Sequence, residues 1–252
     1  MDNMRADDFP KYGIPSGVVV GLAFATVLGL RRSFREDAIR CVGQLQPPIQ
    51  VSGREHIPQS GPCVVTVNHY YRPGFGAQWL ALAISACVPR EMHWVITGEL
   101  TYLGRFGSPV SRWVLARIAR TYGFTSMPPM PPRPQDLEAR AQSVRKVLEY
   151  AKRHPDFVLG MAPEGVDQVD GRLSVPAPGA GRFELLLAGL GSGFVPVGAY
   201  EADGKFCLHF GPAYRLSVPS GLSNDEKDRA AAEIMMKKIA VLLPETLRGE
   251  FA

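Results

Sequence analysis

The stretch whose reading decides the fold is Cys63-Val64-Val65-Thr66-Val67-Asn68-His69-Tyr70-Tyr71-Arg72-Pro73-Gly74. Val64 to Val67 is an unbroken β-branched run, which predicts a short buried strand. Asn68 and His69 stand where that strand ends. Tyr71-Arg72-Pro73-Gly74 then breaks regular structure, because proline fixes φ and glycine permits positive φ. A histidine at a strand end, before a Pro-Gly loop, is placed like a catalytic group on a rigid support. Most of the five histidines (His56, His69, His93, His154 and His209) are expected at the surface or in structural roles.

Working outward, strand-like and helix-like runs alternate. Ile49 to Ser52, His93 to Thr97, Phe157 to Met161, Phe194 to Tyr200, Lys205 to Phe210 and Tyr214 to Val218 read as strands. Residues 31–47, the apolar run Ala77 to Cys87, and Arg182 to Leu190 read as helices. Ser108-Pro109 predicts the start of another, with serine as N-cap and proline at the first helical position. Gln135 to His154 is the clearest helix, with Leu137, Ala141, Val144, Leu148 and Ala151 spaced along one face. Ser223-x-x-Glu226 is a capping box that opens a last helix, to about Leu243. Met127 to Pro134 is too proline-rich for a regular element and is expected as an exposed connector. Gly189-x-Gly191-x-Gly193 follows a helix, whereas the dinucleotide-binding fingerprint must follow a strand, so it is set aside.

Alternation of this kind predicts an α/β layered domain: a mostly parallel or mixed central sheet flanked by helices, plus an N-terminal apolar helix. Ligands gather at the carboxyl ends of strands in such sheets. That rule brings Asn68-His69 and the loop Pro163-Glu164-Gly165 to one edge. A histidine and a carboxylate converging there make a general-base site, with Glu164 holding the imidazole or taking part in binding.

Composition bounds the function. The 252 residues are 46% hydrophobic and 21% charged, an ordinary globular balance, and the formal net charge is +4. A pI near 8.9 favours anionic partners such as phosphate groups or lipid headgroups. No Lys/Arg run with interleaved aromatics marks a nucleic-acid surface. Cys41, Cys63, Cys87 and Cys207 are isolated, as suits reduced thiols. From Tyr12 to Leu30 there is no charge, and Arg31-Arg32 follows. Three readings of that segment stay open: a buried helix, a helix lying in the membrane interface, or a span, though the richest part is short of the roughly 20 residues a span needs.

Taken in order, Val51-Ser-Gly-Arg-Glu-His-Ile-Pro58, Asn68-His69, Gly98-Glu-Leu100, Pro163-Glu164-Gly165, Asp170-Gly171, Pro178-Gly-Ala-Gly-Arg182 and Val195-Pro196-Val197 resemble the phospholipid/glycerol acyltransferase family, which includes the 1-acylglycerol-3-phosphate acyltransferases. The resemblance covers roughly residues 49–215. It implies transfer of a fatty acyl group from an acyl-CoA or acyl-carrier-protein thioester to a hydroxyl of a glycerolipid or related acceptor. His69 would be general base and Glu164 its catalytic partner. Substrate contacts would fall at Asn68, Tyr71, Arg72, Gly74, Gly123, Phe124, Pro163, Gly165 and Val166. It implies no cofactor beyond the thioester co-substrate and no metal. It places the protein at the cytoplasmic face of a membrane, with residues 1–47 as a helical, membrane-interfacial segment and 48–252 as the acyltransferase-like domain. The oligomeric state stays open.

The pattern departs from the family at named places. Four residues past the histidine the family has an aspartate that orients the imidazole, and here Gly74 stands. Thr97 replaces a basic residue, Val166 a threonine, and Asp167-Gln168 a polar-basic pair. Glu164 or Asp167 would then serve as orienter, and Arg72 as a phosphate contact. The alternative is a catalytically inactive lipid- or acyl-binding relative of the same fold.

Overall fold

The computed structural model describes residues 9–100, 104–130, 133–166 and 170–252. Its centre is a seven-stranded sheet of β1 (Gln50–Ser52), β2 (Cys63–Val67), β3 (His93–Thr97), β4 (Thr125–Met127), β5 (Val158–Met161), β6 (Gly193–Ala202) and β7 (Lys205–Phe210). The order across the sheet is β1-β7-β6-β2-β5-β3-β4. β6, β2, β5, β3 and β4 run parallel to one another. β7 pairs antiparallel with β6, and β1 lies parallel to β7. β2 sits between β6 and β5, so every one of its residues is buried.

Helices cover both faces. α1 (Ser16–Leu28), α2 (Phe34–Val42), α3 (Gln78–Cys87) and α4 (Gly104–Tyr122) lie on one side. α5 (Leu137–Arg153), α6 (Ala180–Ala188) and α7 (Asn224–Ala240) lie on the other. Strand side chains alternate between the layers. Cys63, Val65 and Val67 pack with Trp79 and Phe34 in the first layer, while Val64 packs with Val147, Leu159 and Leu187 in the second. Gly160 in β5 lets the Trp94 ring lie flat on the sheet, since a Cβ there would come 2.7 Å from it.

Where expectation and structure differ, the reason is local. α4 begins at Gly104, so Pro109 lies inside it rather than at its first position. Ser108 donates to the Leu100 carbonyl instead of capping a helix. Tyr214 to Val218 is not a strand. Tyr214 makes one isolated antiparallel bridge to Phe194 and the chain then leaves the sheet. The buried face of α5 runs through Ser143, Val147 and Ala151, which leaves Leu137 exposed. The capping box at Ser223 forms as the spacing predicts. Part of the proline-rich connector is not exposed: Pro129 is buried and Pro128 and Met130 are half-buried.

α1 is a 13-residue apolar helix that buries only Val18 and Ala25. Val20 (67% exposed), Phe24 (63%) and Val27 (76%) face outward, which overturns the buried-helix reading of this segment. Among the described residues no helix is long and apolar enough to cross a membrane. α1 is tied to α4: the Arg31 guanidinium donates to the Arg120 carbonyl (2.6 Å) and Arg32 N–H to the Thr121 carbonyl (3.0 Å).

Candidate active site

β2 ends at Val67, and the next residue is locked at once. The Asn68 side chain donates to the Ala199 carbonyl (2.9 Å) and accepts from the Ala199 N–H (2.7 Å). This two-way amide pairing extends the β2–β6 ladder by one rung and leaves Asn68 buried. His69 therefore leaves the sheet in a fixed direction, and its side chain is half-buried. The His69 backbone N–H donates to Glu164 Oε2 at 2.6 Å. Glu164 comes from the loop after β5, so the two strand-end loops meet at the carboxyl edge of the sheet.

Glu164 is 2% exposed and fully engaged. Its Oε1 accepts from the Ser174 N–H (2.8 Å) and the Ser174 hydroxyl (3.3 Å). Burial raises its pKa, while the backbone hydrogen bonds from His69 and Ser174 pull it down. The contact to His69 runs through the main chain, so the carboxylate holds the histidine loop in place. Asp167 and Gln168 lie outside the described residues.

Arg72 turns the other way. Its guanidinium forms a two-point pair with Glu201, whose side chain is wholly buried. Tyr70 (3.1 Å) and Tyr12 (2.5 Å) donate to the same carboxylate. The Phe9 ring lies 4.1 Å over the guanidinium. These contacts pin the first loop and the start of the chain to the end of β6, and in this structure the Arg72 head is spent on them. Gly74 has φ +85°, a conformation L side chains rarely adopt, and a Cβ would stand 3.2 Å from the Arg72 guanidinium. The Tyr71 carbonyl packs against Gly171, where a Cβ would come within 2.8 Å.

The other expected contact residues divide between the two edges of the sheet. Pro163, buried, and Gly165 flank Glu164, and both line a cleft of about 180 Å³ between the sheet and α5–α6. Val166 is exposed beside them. Gly123 and Phe124 precede β4, which runs parallel to β3, so they lie at the amino edge, away from His69. There the Phe124 ring packs edge-on against Phe34 at 4.9 Å. The structure does not bring these two to the site. It adds three residues that sequence reasoning missed: Ser174, Glu201 and Glu184. The available signal for the last two was an acid inside an otherwise apolar run. Among the described residues no group of three or more His, Cys, Asp or Glu side chains could hold a metal ion.

No protein-family profile matches the chain, and no curated protein matches it. A solved structure does: the 1-acyl-sn-glycerophosphate (LPA) acyltransferase PlsC from Thermotoga maritima, with a TM-score of 0.53 over 89% of this chain and 88% of that one, at 16% identity. The seven-stranded, helix-flanked sheet with His69 and Glu164 at its carboxyl edge is thus built on the fold of that acyltransferase.

Proposed function

We propose that the protein is an acyltransferase that moves a fatty acyl group from a CoA or acyl-carrier-protein thioester to a hydroxyl of a glycerolipid or related acceptor. The observation that carries the reading is the junction of His69 and Glu164 at the carboxyl edge, beside an apolar cleft. In this reading the His69 imidazole takes the proton from the acceptor hydroxyl. The freed oxygen attacks the thioester carbonyl and forms a new C–O bond. The tetrahedral intermediate collapses, the C–S bond breaks, and the thiolate leaves and is protonated. Free imidazole, with a pKa near 6.5, is suited to that exchange near neutral pH. Glu164 contributes as a positioning residue that fixes the His69 main chain.

The same proposal places the protein on a lipid surface. Val20, Phe24 and Val27 of α1 are exposed, as are Val110 and Trp113 of α4. Arg31 and Arg120 are exposed and joined by a hydrogen bond between the segments that follow α1 and end α4. Exposed apolar side chains together with exposed arginines suit an interface with anionic lipid. Vesicles of phosphatidylcholine with phosphatidylglycerol should sediment the wild type and not a Val20→Asp/Phe24→Asp/Val27→Asp variant. Equal sedimentation of both would remove this part of the proposal.

A second reading has one specific support. The left-handed Gly74 stands where the resembled family has its orienting aspartate; on this reading the protein is an acyl-binding relative without turnover. The deciding experiment offers long-chain acyl-CoA or acyl-carrier protein with a mixed lipid extract, and follows thiol release and new acylated lipids by mass spectrometry. A new lipid that is absent with His69→Ala establishes the transferase and names the acceptor. Acyl-chain binding without thiol release in either protein establishes the binding relative.

A further inference from the structure

The cleft beside Pro163 and Gly165 has an unusual wall. Val95, Met127, Val144, Met161 and Phe183 make most of it apolar; Arg140, whose guanidinium donates to the Pro128 and Pro129 carbonyls, and Glu184 of α6 are its ionisable residues. Glu184 is 1% exposed. Its Oε2 has no hydrogen-bond partner among the described residues. Burial alone pushes its pKa up to about 8, which favours the neutral carboxylic acid. A protonated carboxyl offers one O–H donor and further acceptor capacity. Leaving such a group unmatched in an apolar wall is unfavourable, and leucine would fill the site without that cost.

The fold holds Glu184 there. Asp228 of α7 accepts from the Gly179 N–H (2.7 Å) and the Arg182 N–H (2.8 Å), capping the start of α6 from a neighbouring helix. Gly181 lies against the α7 backbone, where a Cβ would come 2.0 Å from the Asp228 carbonyl oxygen. α6 therefore cannot roll to carry Glu184 to solvent. The same layer of the core holds two more buried hydroxyls without partners among the described residues, on Thr66 and Tyr214. In the other layer, Ser85, for comparison, is fully paired: it accepts from the Trp94 indole N–H (2.9 Å) and donates to the Met92 sulfur (3.7 Å).

We propose that this cleft is a chain-binding subsite that selects an acyl segment bearing a hydroxyl oxygen, which hydrogen-bonds the Glu184 carboxyl. At about 180 Å³ the cleft is slightly larger than the roughly 150 Å³ cavity that takes a benzene molecule, so it holds about six carbons. Pro163 and Gly165 put it next to the Glu164 loop, so the oxygen falls within the first several carbons of a chain whose thioester is at His69. That placement rests on the acyltransferase reading; the hydroxyl selection does not.

The test compares dodecanoyl-CoA with β-hydroxydodecanoyl-CoA on the full chain. Binding is measured by isothermal titration and turnover by thiol release. Wild type should bind the hydroxylated thioester about tenfold more tightly. Glu184→Gln, which keeps a donor and an acceptor in the same shape, should retain most of that ratio, and Glu184→Leu should bring it to one or invert it. Equal binding of the two thioesters by wild type overturns the proposal, as does a preference untouched in Glu184→Leu, or no binding of either thioester. A hydroxyl preference in binding without thiol release leaves the subsite standing and removes the transferase. Thiol release with no preference does the reverse.

Discussion

Glu164 and Glu184 are both buried acids beside one cleft, and they are treated in opposite ways. Glu164 receives three donors from two loops and is half of a junction that aims His69. Glu184 receives none from the described residues and stands in an apolar wall. The first arrangement is closed: every contact it needs is supplied by the chain. The second is open, and its missing partner is the ground for assigning it to a ligand. A buried acid with its partners in place is a structural brace, and one without them marks where a substrate atom is to come.

The comparison breaks most sharply at the closed end. Removing the carboxylate with Glu164→Ala strands the His69 and Ser174 N–H groups, at about 1–3 kcal/mol for each unmade bond. Urea unfolding should show a loss of about 3 kcal/mol, and thiol release should fall with it. A variant of unchanged stability would mean that the loops do not need the brace.

At the open end the expected effect is a pH dependence. The folded-state pKa of Glu184, about 8, stands above its ordinary 4.5. Between those values the folded protein binds more protons than the unfolded chain, so stability falls as pH rises through that window. The slope is at most about 1.4 kcal/mol per pH unit. Glu184→Gln should remove most of that slope, and denaturation midpoints at pH 5 and pH 8 would show it. Parallel midpoints for the variant and the wild type would place an ionised carboxylate at Glu184.

A smaller effect tests the loop conformation at Gly74. With φ +85°, Gly74→Asp should cost about 1–2 kcal/mol of stability and bring no gain in thiol release. Faster thiol release would show that an aspartate at this position can serve His69.

Much of the frame was legible in the sequence because it is local. The β-branched run fixed β2, and the Ser223 capping box opened α7 where the spacing put it. The strand-end rule brought His69 and Glu164 together. What was missed depends on partners far along the chain. Arg72 looked available for phosphate until Glu201, 129 residues away, claimed it. Gly123 and Phe124 were expected at the site from the resemblance, but the direction of β4 puts them at the opposite edge. Tyr214 to Val218 has strand residues, yet after the bridge to Phe194 the chain leaves the sheet. Pro109 looked like a helix start, but α4 had already begun at Gly104.

The most direct measurement is the rate of thiol release from long-chain acyl-CoA by His69→Ala and by wild type, at equal concentrations of folded protein. The account predicts a fall of about a hundredfold to ten-thousandfold, the range a positioned general base contributes. A variant that releases thiol within twofold of wild type would contradict it.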